Sequence, residues 1–478
     1  MLKHLIVLLM LLCVSACGHT GTEHARFVDA VRAGDMQTAY RLTRDDDFYT
    51  DKASLNARWF ELGSYHYLNG EYCQSLHYFD QAKERAKELY TKSLSRSFAA
   101  QFAGDGLIPY AGEKYEQSML RFYQSLTHYL LSKQGYCEAY EIEENGVKKQ
   151  IERRDFDAAE KRMHFNAARA SILDWNSLLT TFTLESDDKN EFHQDMLAKT
   201  WGAEMHDIYG SNGDRQIARQ LYRDVPKLLE SDYADAPSLQ SENGERLKAY
   251  AKTKGADLYA DNTKKSNARF VVKVGLITPK KAERVDFVIP LSAFLASGSG
   301  NDFVSCLGMI LPGQRISFEI PSVPEPAKIG DYRLIVANGE GENVADEPLV
   351  LTAPVSETAY KEFKRKRAKL ISTRGARLTG KYVSAAVAAC SLYKKDDALS
   401  ILMAYGAFAG SVKLIESTEY ADTRYWGLLP NAVLQQSVRL KKGDYTGKIV
   451  SGDKTVKTFS FTVDDSRAVL VDLNIPDA

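Results

Sequence analysis

Histidine is missing from the whole second half of the sequence. All 9 histidines lie at or before position 206. This absence excludes, from the C-terminal half, a catalytic site of the Ser-His-Asp or Cys-His type and a metal site with a histidine ligand. In the first half no two histidines have the HExxH spacing, and the chain contains neither a P-loop nor a Gly-x-Gly-x-x-Gly motif. The sequence therefore indicates a protein that is not an enzyme of these classes.

The chain also lacks an excess of either charge. Its 62 lysines and arginines nearly balance 63 aspartates and glutamates, so there is no electrostatic reason to expect a nucleic-acid partner. Beyond the N-terminus, no apolar run approaches the roughly 20 residues that a transmembrane helix requires. With 478 residues, of which 44% are hydrophobic, we expect two or three domains forming a soluble body.

The N-terminus has the layout of a secretory signal. Lys3 precedes an apolar run, and small residues stand directly before Cys17. This ending resembles the lipobox of bacterial lipoproteins, which implies a signal peptide over 1–16 and a Cys17 that carries diacylglycerol and a further acyl chain such as palmitate. At about 0.8 kcal/mol per buried CH₂, several chains anchor a protein to the membrane almost permanently. The alternative is an ordinary signal peptide with an incidental cysteine.

Four cysteines remain in the body of the chain, two in each half. An even number in an oxidising compartment favours disulfide bonds. We predict the pairs Cys73–Cys137 and Cys306–Cys390, because the first two stand in similar settings, each opening the second helix of a predicted helix pair. Free buried thiols are the alternative.

Residues 57–86 carry the densest pattern in the chain. Read as two helices, this segment places Trp59, Leu62 and Gly63 on the first helix and Tyr72, Phe79 and Ala82 on the second. The segment resembles a tetratricopeptide repeat (TPR), in which small residues of one helix pack against large residues of the next. His66 and Ser75 depart from the usual residues of that repeat.

Weaker versions of the pattern occur at 27–42 and 197–225, and the segment 115–131 has the apolar spacing of one helix face. We therefore predict that residues 17–230 form an α-solenoid of irregular TPR-like helix pairs. Solenoids commonly bind other proteins, which predicts a surface for envelope proteins. The alternative is that the aromatic residues only form a core.

The C-terminal half is predicted to be mixed. Residues 231–268 are polar and are interpreted as a linker with a short helix near 244–252, and 269–427 as a mixed α/β region. Residues 428–478 alternate apolar and polar side chains around hairpin-type turns, which predicts an antiparallel β module.

Two helical stretches of this region stand out. The basic run from Lys364 to Lys369 favours a solvated helix face over a site for phosphate or lipid headgroups. The stretch 399–414 is apolar, with Gly406 and Gly410 four residues apart, a spacing that permits close helix packing. It is too short to span a membrane, so a buried helix or an amphipathic insert is expected.

The segment 420–430 is the candidate binding site. Asp422 and Arg424 can pair, and Tyr425 and Trp426 follow directly. Such a cluster can bind a sugar or an extended peptide by aromatic stacking. The alternative is a structural corner, in which an ion pair and a tryptophan join helix to sheet.

Several stretches together resemble a family of TPR-containing lipoproteins of Gram-negative bacteria. They are YEQSMLRFYQSLTHYL (115–130), GLITPKKAERVDFVIP (275–290) and EYADTRYWGLLPNAVLQQSVRLKKGDYTG (419–447). The resemblance covers most of the chain in order, and it implies an outer-membrane lipoprotein that faces the periplasm. It implies no particular chemistry.

Two functional hypotheses follow. The first is a lipid-anchored, non-enzymatic scaffold or assembly factor of the cell envelope, which binds envelope proteins and a membrane and forms homo-oligomers. It needs no cofactor beyond the lipid on Cys17, and no metal. The second is a protein that binds or processes peptidoglycan or polysaccharide through the 420–430 cluster.

Overall fold

The computed structural model is a mixed α+β protein. It describes residues 20–45, 48–93, 108–144, 147–185, 192–260, 265–311, 316–464 and 468–478. Cys17 and the predicted signal peptide lie outside these residues.

Helices make up most of the chain before residue 258. They are α1 (Thr20–Arg32), α2 (Met36–Leu42), α3 (Leu55–Leu68), α4 (Tyr72–Ser93), α5 (Lys114–Gln134), α6 (Ala158–Glu185), α7 (Met196–Tyr209), α8 (Asn212–Glu230) and α9 (Glu242–Asp257). Four more follow: α10 (Leu291–Leu295), α11 (Asn301–Ile310), α12 (Val355–Cys390) and α13 (Ala398–Thr418).

Strands lie mainly in the second half. The short early ones are β1 (Tyr136–Cys137), β2 (Tyr140–Glu144), β3 (Val147–Ile151) and β4 (Arg154–Asp155). The later ones are β5 (Ala268–Val274), β6 (Lys281–Phe287), β7 (Ile316–Ser322), β8 (Tyr332–Asn338), β9 (Asn343–Pro348), β10 (Val350–Ala353), β11 (Ala432–Val438), β12 (Gly443–Ser451), β13 (Lys454–Val463) and β14 (Val469–Ile475).

The strongest predicted helix pair is present as α3 and α4. Gly70 lies in the turn between them with a φ of 75°, a conformation that glycine adopts without strain. A Cβ at Gly63 would lie 2.5 Å from the ring of Phe79. The glycine therefore lets α4 approach α3 closely. The segments predicted from 27–42, 115–131 and 197–225 are also helical.

The segment after α5 differs from the prediction. Cys137 does not open a helix but lies in the short strand β1, which pairs with β4 around the β2–β3 hairpin. Gly135 ends α5 in the left-handed conformation, with a φ of 74°. This turn redirects the chain into extended structure, so the comparison with the start of α4 was misleading.

Two four-stranded sheets form the β part. One has the order β10-β11-β5-β14 and the other β13-β12-β8-β9. All neighbours are antiparallel except β14, which runs parallel to β5. All seven residues of β5 are buried, as expected for a strand with neighbours on both sides and packed faces.

The prediction of a separate antiparallel module over 428–478 is wrong. Its strands are divided between the two sheets, where they pair with β5, β8 and β10 from residues 268–353. Alternation identifies which residues form strands, but it does not identify their partners.

The predicted linker at 231–268 is also wrong. It contains α9, which buries Leu247 and Ala251, and it places Tyr233 and Leu239 in the same core as the two sheets. Most of the polar residues that suggested a linker are exposed or part-exposed, whereas Lys254 is buried and pairs with Glu204.

One core joins the two halves of the chain. It contains Phe60 and Tyr123 from the helices together with Ile277, Phe363 and Trp426 from the C-terminal half. The predicted boundaries at 230 and 268 therefore do not separate independent cores.

A smaller core belongs to what we call the disulfide-bonded subdomain, which consists of β6, β7, α10, α11, the C-terminal part of α12, and α13. Its core includes Phe294, Leu307, Tyr382 and Phe408. Cys306 of α11 is bonded to Cys390 at the end of α12.

Candidate functional site

The predicted 420–430 cluster lies in the core. The indole of Trp426 is 0% exposed and is stacked on Phe60, with ring centroids 4.6 Å apart and an interplanar angle of 4°. Its Nε1–H donates to Oγ of Ser64 at 2.7 Å. Because both faces of the ring are covered by protein, Trp426 has no surface for a sugar.

Two buried glutamates of the helices hold the backbone of this corner. The N–H of Trp426 donates to Oε1 of Glu116 at 2.7 Å. The N–H groups of Gly427 and Leu428 donate to the carboxylate of Glu61, the second at 3.1 Å. Each carboxylate thus accepts hydrogen bonds from a loop that is distant in sequence, which joins α3 and α5 to the C-terminal half.

The charge of Glu116 is strongly affected by its surroundings. Burial, reinforced by the nearby Glu113 carboxylate, raises the pKa of Glu116 to about 7, against the attraction of Lys280. Such a shift can indicate a catalytic acid. Here Glu116 also accepts hydrogen bonds from Tyr110 and from the N–H of Glu113, so its oxygens are used in holding the corner.

Arg424 completes the corner. Its guanidinium donates to both oxygens of Asp422, at 2.8 and 2.7 Å. It also donates to the backbone oxygens of Ala53 at 2.8 Å and Ile108 at 2.7 Å. The interpretation of Asp422, Arg424, Tyr425 and Trp426 as a sugar-binding cluster is therefore wrong, because their polar groups and rings are engaged inside the protein.

Both predicted disulfides are present. Cys73 is bonded to Cys137, and Cys306 to Cys390. Within the described residues, Cys73, Cys137 and Glu138 form the one group with metal-ligand distances. The disulfide removes the thiolates that a metal would need.

A cleft of about 470 Å³ lies elsewhere, between the helical half and α12. Its walls come from the segment before α7, the segment between α8 and α9, and the first turns of α12. The side chains that define its chemistry are Phe192, His193, Tyr233, Lys361, Glu362 and Arg365. We call it the α12 cleft.

The basic side chains of the α12 cleft are held by oxygens of the 231–236 segment. Nε2 of His193 lies 3.0 Å from Asp232, and Arg365 pairs with Asp235 at 2.6 Å. Lys361 pairs with Asp235 and donates to the backbone oxygen of Asp232 at 2.6 Å. Burial and the neighbouring Arg365 lower the pKa of Lys361 to about 8.

Glu362 has an unused hydrogen-bond acceptor. Its Oε1 pairs with Lys366, whereas its buried Oε2 has no hydrogen-bond partner among the described residues. Burial raises the pKa of Glu362, against the attraction of Lys366. The cleft thus combines fixed charges of both signs with aromatic walls, an arrangement suited to a ligand with both donors and acceptors.

The sequence did not indicate this cleft. Two of its walls lie in a segment interpreted as a linker and in a basic run interpreted as a solvated face. In the structure, Arg365, Lys366 and Arg367 each pair with a carboxylate. The available signal was Tyr233 among acidic residues of the supposed linker, since an isolated aromatic residue there suggests a packed segment.

A second surface feature is the exposed apolar side of the disulfide-bonded subdomain. More than half of the large hydrophobic side chains that are exposed in the described residues lie in 288–304 or 392–414. Helix α13 is long and apolar enough to cross a membrane over Ala398–Glu416, and only 22% of that stretch is buried. By length and composition, the prediction that this stretch is too short to span a membrane is therefore wrong. The expectation of a buried helix holds for one face of α13 only.

Comparison with known proteins adds no assignment to these features. Neither a protein-family model, nor a curated protein, nor a solved structure matches the chain.

Proposed function

We propose that the protein is a lipid-anchored, non-enzymatic scaffold or assembly factor of the bacterial cell envelope, and that the α12 cleft binds an extended segment of an envelope protein. The observation that carries the proposal is the cleft itself. Its walls offer paired charges of both signs and the aromatic ring of Phe192. A peptide presents N–H donors, carbonyl acceptors and side chains, which match such a surface.

The chemistry of the cleft favours recognition over catalysis. His193 and Lys361 are the groups best able to act as bases, and each is close to a carboxylate or a carbonyl oxygen of the 231–236 segment. These contacts fix the side chains in place, as recognition requires. The irregular TPR-like solenoid of residues 17–230 belongs to the same proposal, supported by the close packing of α3 on α4.

The proposed location is the periplasmic face of the outer membrane. The support is the lipobox-like sequence that ends at Cys17, together with two disulfides, which persist in an oxidising compartment. Diacylglycerol and an acyl chain on Cys17 would then be the membrane anchor. We do not propose glycan binding through 420–430, because that segment is buried.

A photoreactive amino acid at Gln194 tests the proposal. Gln194 lines the cleft and is part-exposed, so irradiation of intact cells should link it to specific envelope proteins. The matched control is Leu173, which is 54% exposed on α6 and should give no such product. Recovery of the monomer alone from Gln194, or the same products from both positions, would reject the cleft as the binding site.

A further inference from the structure

We propose that the outer face of α13 binds the same face of a second copy of this chain, with the two helices antiparallel. This proposal goes beyond the envelope-protein partner of the α12 cleft and concerns a different surface.

Helix α13 is apolar on both sides, but only one side is covered. Ser400, Ala404, Phe408 and Val412, spaced by four residues, are buried against the subdomain. On the other side, Leu399, Leu402, Met403 and Leu414 are exposed by 64, 67, 47 and 62%. A helix that is apolar all round is normally buried on all sides. The outer face of α13 therefore indicates a surface that is covered in the cell.

The shape of this face favours a helix as its occupant. Gly406 and Gly410 lie on the exposed side, and a Cβ added to either would meet nothing within 4 Å. The two glycines form a shallow hollow between the exposed leucines. Another helix can pack closely into such a hollow, whereas a lipid surface would gain less from it, because glycines offer little apolar area.

The sequence of the face is self-complementary when the helices are antiparallel. If the two-fold axis passes beside Gly406, Leu402 of each copy lies over Gly410 of the other. This is the isologous arrangement that a symmetric dimer requires. A parallel arrangement would place leucine against leucine and leave the hollow empty.

The charges at the two ends of α13 agree with the antiparallel direction. Lys413 is exposed and forms no ion pair with any residue that the structure describes. The other end carries the exposed residues Lys394, Lys395, Asp396 and Asp397. Antiparallel pairing brings Lys413 of one copy to within about one helical turn of the two aspartates, and it brings Glu416 next to Asp396 but also within two residues of both lysines, so neither end gathers charge of one sign. Burying Lys413 in lipid would instead leave its charge without a partner.

The expected interface is small. At 1.5 Å per residue, α13 is about 30 Å long, and one helix face of this length lies near or below the low end of stable interfaces, about 1,200 Å² in total. The pairing should therefore be weak between molecules free in solution. It should be stronger between molecules held on one membrane, where the effective concentration is higher.

Cysteine crosslinking of the full-length protein in its own membrane tests the proposal. One copy carries Leu402→Cys and a differently tagged copy carries Gly410→Cys. Mild oxidation should join them into a heterodimer that a reductant separates, and Gly406→Cys alone should give a homodimer. The control Leu173→Cys should remain monomeric, because Leu173 is also exposed, at 54%, but lies on α6. Homodimers of Leu402→Cys without the heterodimer would indicate parallel pairing and overturn the proposal.

The other occupants give distinct results. If the face rests on lipid, neither the heterodimer of Leu402→Cys with Gly410→Cys nor the homodimer of Gly406→Cys forms, and all three cysteines are protected from a water-soluble maleimide. If a different protein covers the face, the crosslinked product contains that protein. Either result overturns the proposal. Adding Leu402→Glu to the Gly406→Cys chain should abolish the homodimer, whereas adding Leu173→Glu should leave it. Capture at Gln194 of the α12 cleft should be unaffected, so the two proposals fail separately.

Discussion

At the scale of single residues, Trp426 shows why a sequence pattern typical of a binding site belongs here to a buried loop that joins two parts of the chain. Aromatic and charged residues in a short segment are equally suited to bind a ligand and to join two parts of a chain. The deciding facts are the positions of Phe60, Ser64 and Glu116 around the indole and its backbone N–H. These residues are more than 300 positions away in the sequence, and no local pattern identifies them.

The first prediction is that Trp426→Ala destabilises the fold. Removing a fully buried large aromatic side chain costs about 3–5 kcal/mol, and here it also leaves the Ser64 hydroxyl without its donor. Trp426→Phe should cost less, because the ring stacked on Phe60 is kept. Urea unfolding of both variants measures the difference. An alanine variant as stable as the parent would show that the corner does not support the fold.

The second prediction concerns Glu116 and pH. Its pKa is raised from 4.5 to about 7 in the folded chain, so the folded state holds the proton more tightly than the unfolded state. The resulting stabilisation is complete below pH 4.5 and is lost as the pH rises to about 7, a total of about 3 kcal/mol. Glu116→Gln has no proton to lose.

The stability of the parent relative to Glu116→Gln should therefore fall between pH 4.5 and pH 8. Urea unfolding of the two proteins at several pH values measures this difference. A constant difference across that range would mean that the carboxyl titrates alike in both states.

At the scale of elements, the helices were predictable and the strand partners were not. Spacing within α5 predicts a helix, because Tyr115, Met119, Phe122 and Tyr129 recur at helical intervals, and all four are buried. It does not predict that the helix is buried on every side over 115–127. That information is local. The pairing of β14 with β5 depends instead on strands from opposite ends of the C-terminal half.

The third prediction tests the packing of α3 on α4. Gly63→Ala places a Cβ 2.5 Å from the ring of Phe79, and overpacking of this kind costs about 1–3 kcal/mol. Gly380→Ala is the matched control: Gly380 is also inside a helix, but an added Cβ meets nothing within 4 Å. It should be neutral or stabilise by up to about 1 kcal/mol. Thermal unfolding should show a lower midpoint for Gly63→Ala and an unchanged or higher midpoint for Gly380→Ala, and equal shifts would argue against a special role for the close approach.

At the scale of the whole molecule, buried ion pairs join the helical half to the sheets. Arg269 of β5 pairs with Glu204 of α7 at 2.5 Å, and Lys280 with Glu113 at 2.9 Å. Burial disfavours the charged form of Glu204, but Lys254 and Arg269 outweigh it and lower its pKa to about 2. Breaking such a pair leaves a buried charge without compensation. Composition and charge carry no information on these contacts. The prediction of separate domains could therefore not take them into account.

The fourth prediction follows from this shared core: residues 17–267 alone should not fold as the helical half folds in the whole chain. Without residues 424–428, the carboxylates of Glu61 and Glu116, both 0% exposed, lose backbone donors inside the protein. The indole of Trp426, which is stacked on Phe60, is lost as well. A buried polar group that loses its hydrogen-bond partner lowers the stability of the fold by about 1–3 kcal/mol, and by more when the group is charged.

Circular dichroism with thermal unfolding measures the outcome. The fragment should show reduced helicity and no cooperative transition, and co-expression with residues 268–478 should restore both, because the second fragment supplies β5 and the Trp426 corner. A fragment that unfolds cooperatively at the temperature of the full chain would instead support an independent helical domain over 17–230. The proposed envelope-protein site would then need to be sought within that domain, since the α12 cleft requires side chains from both halves.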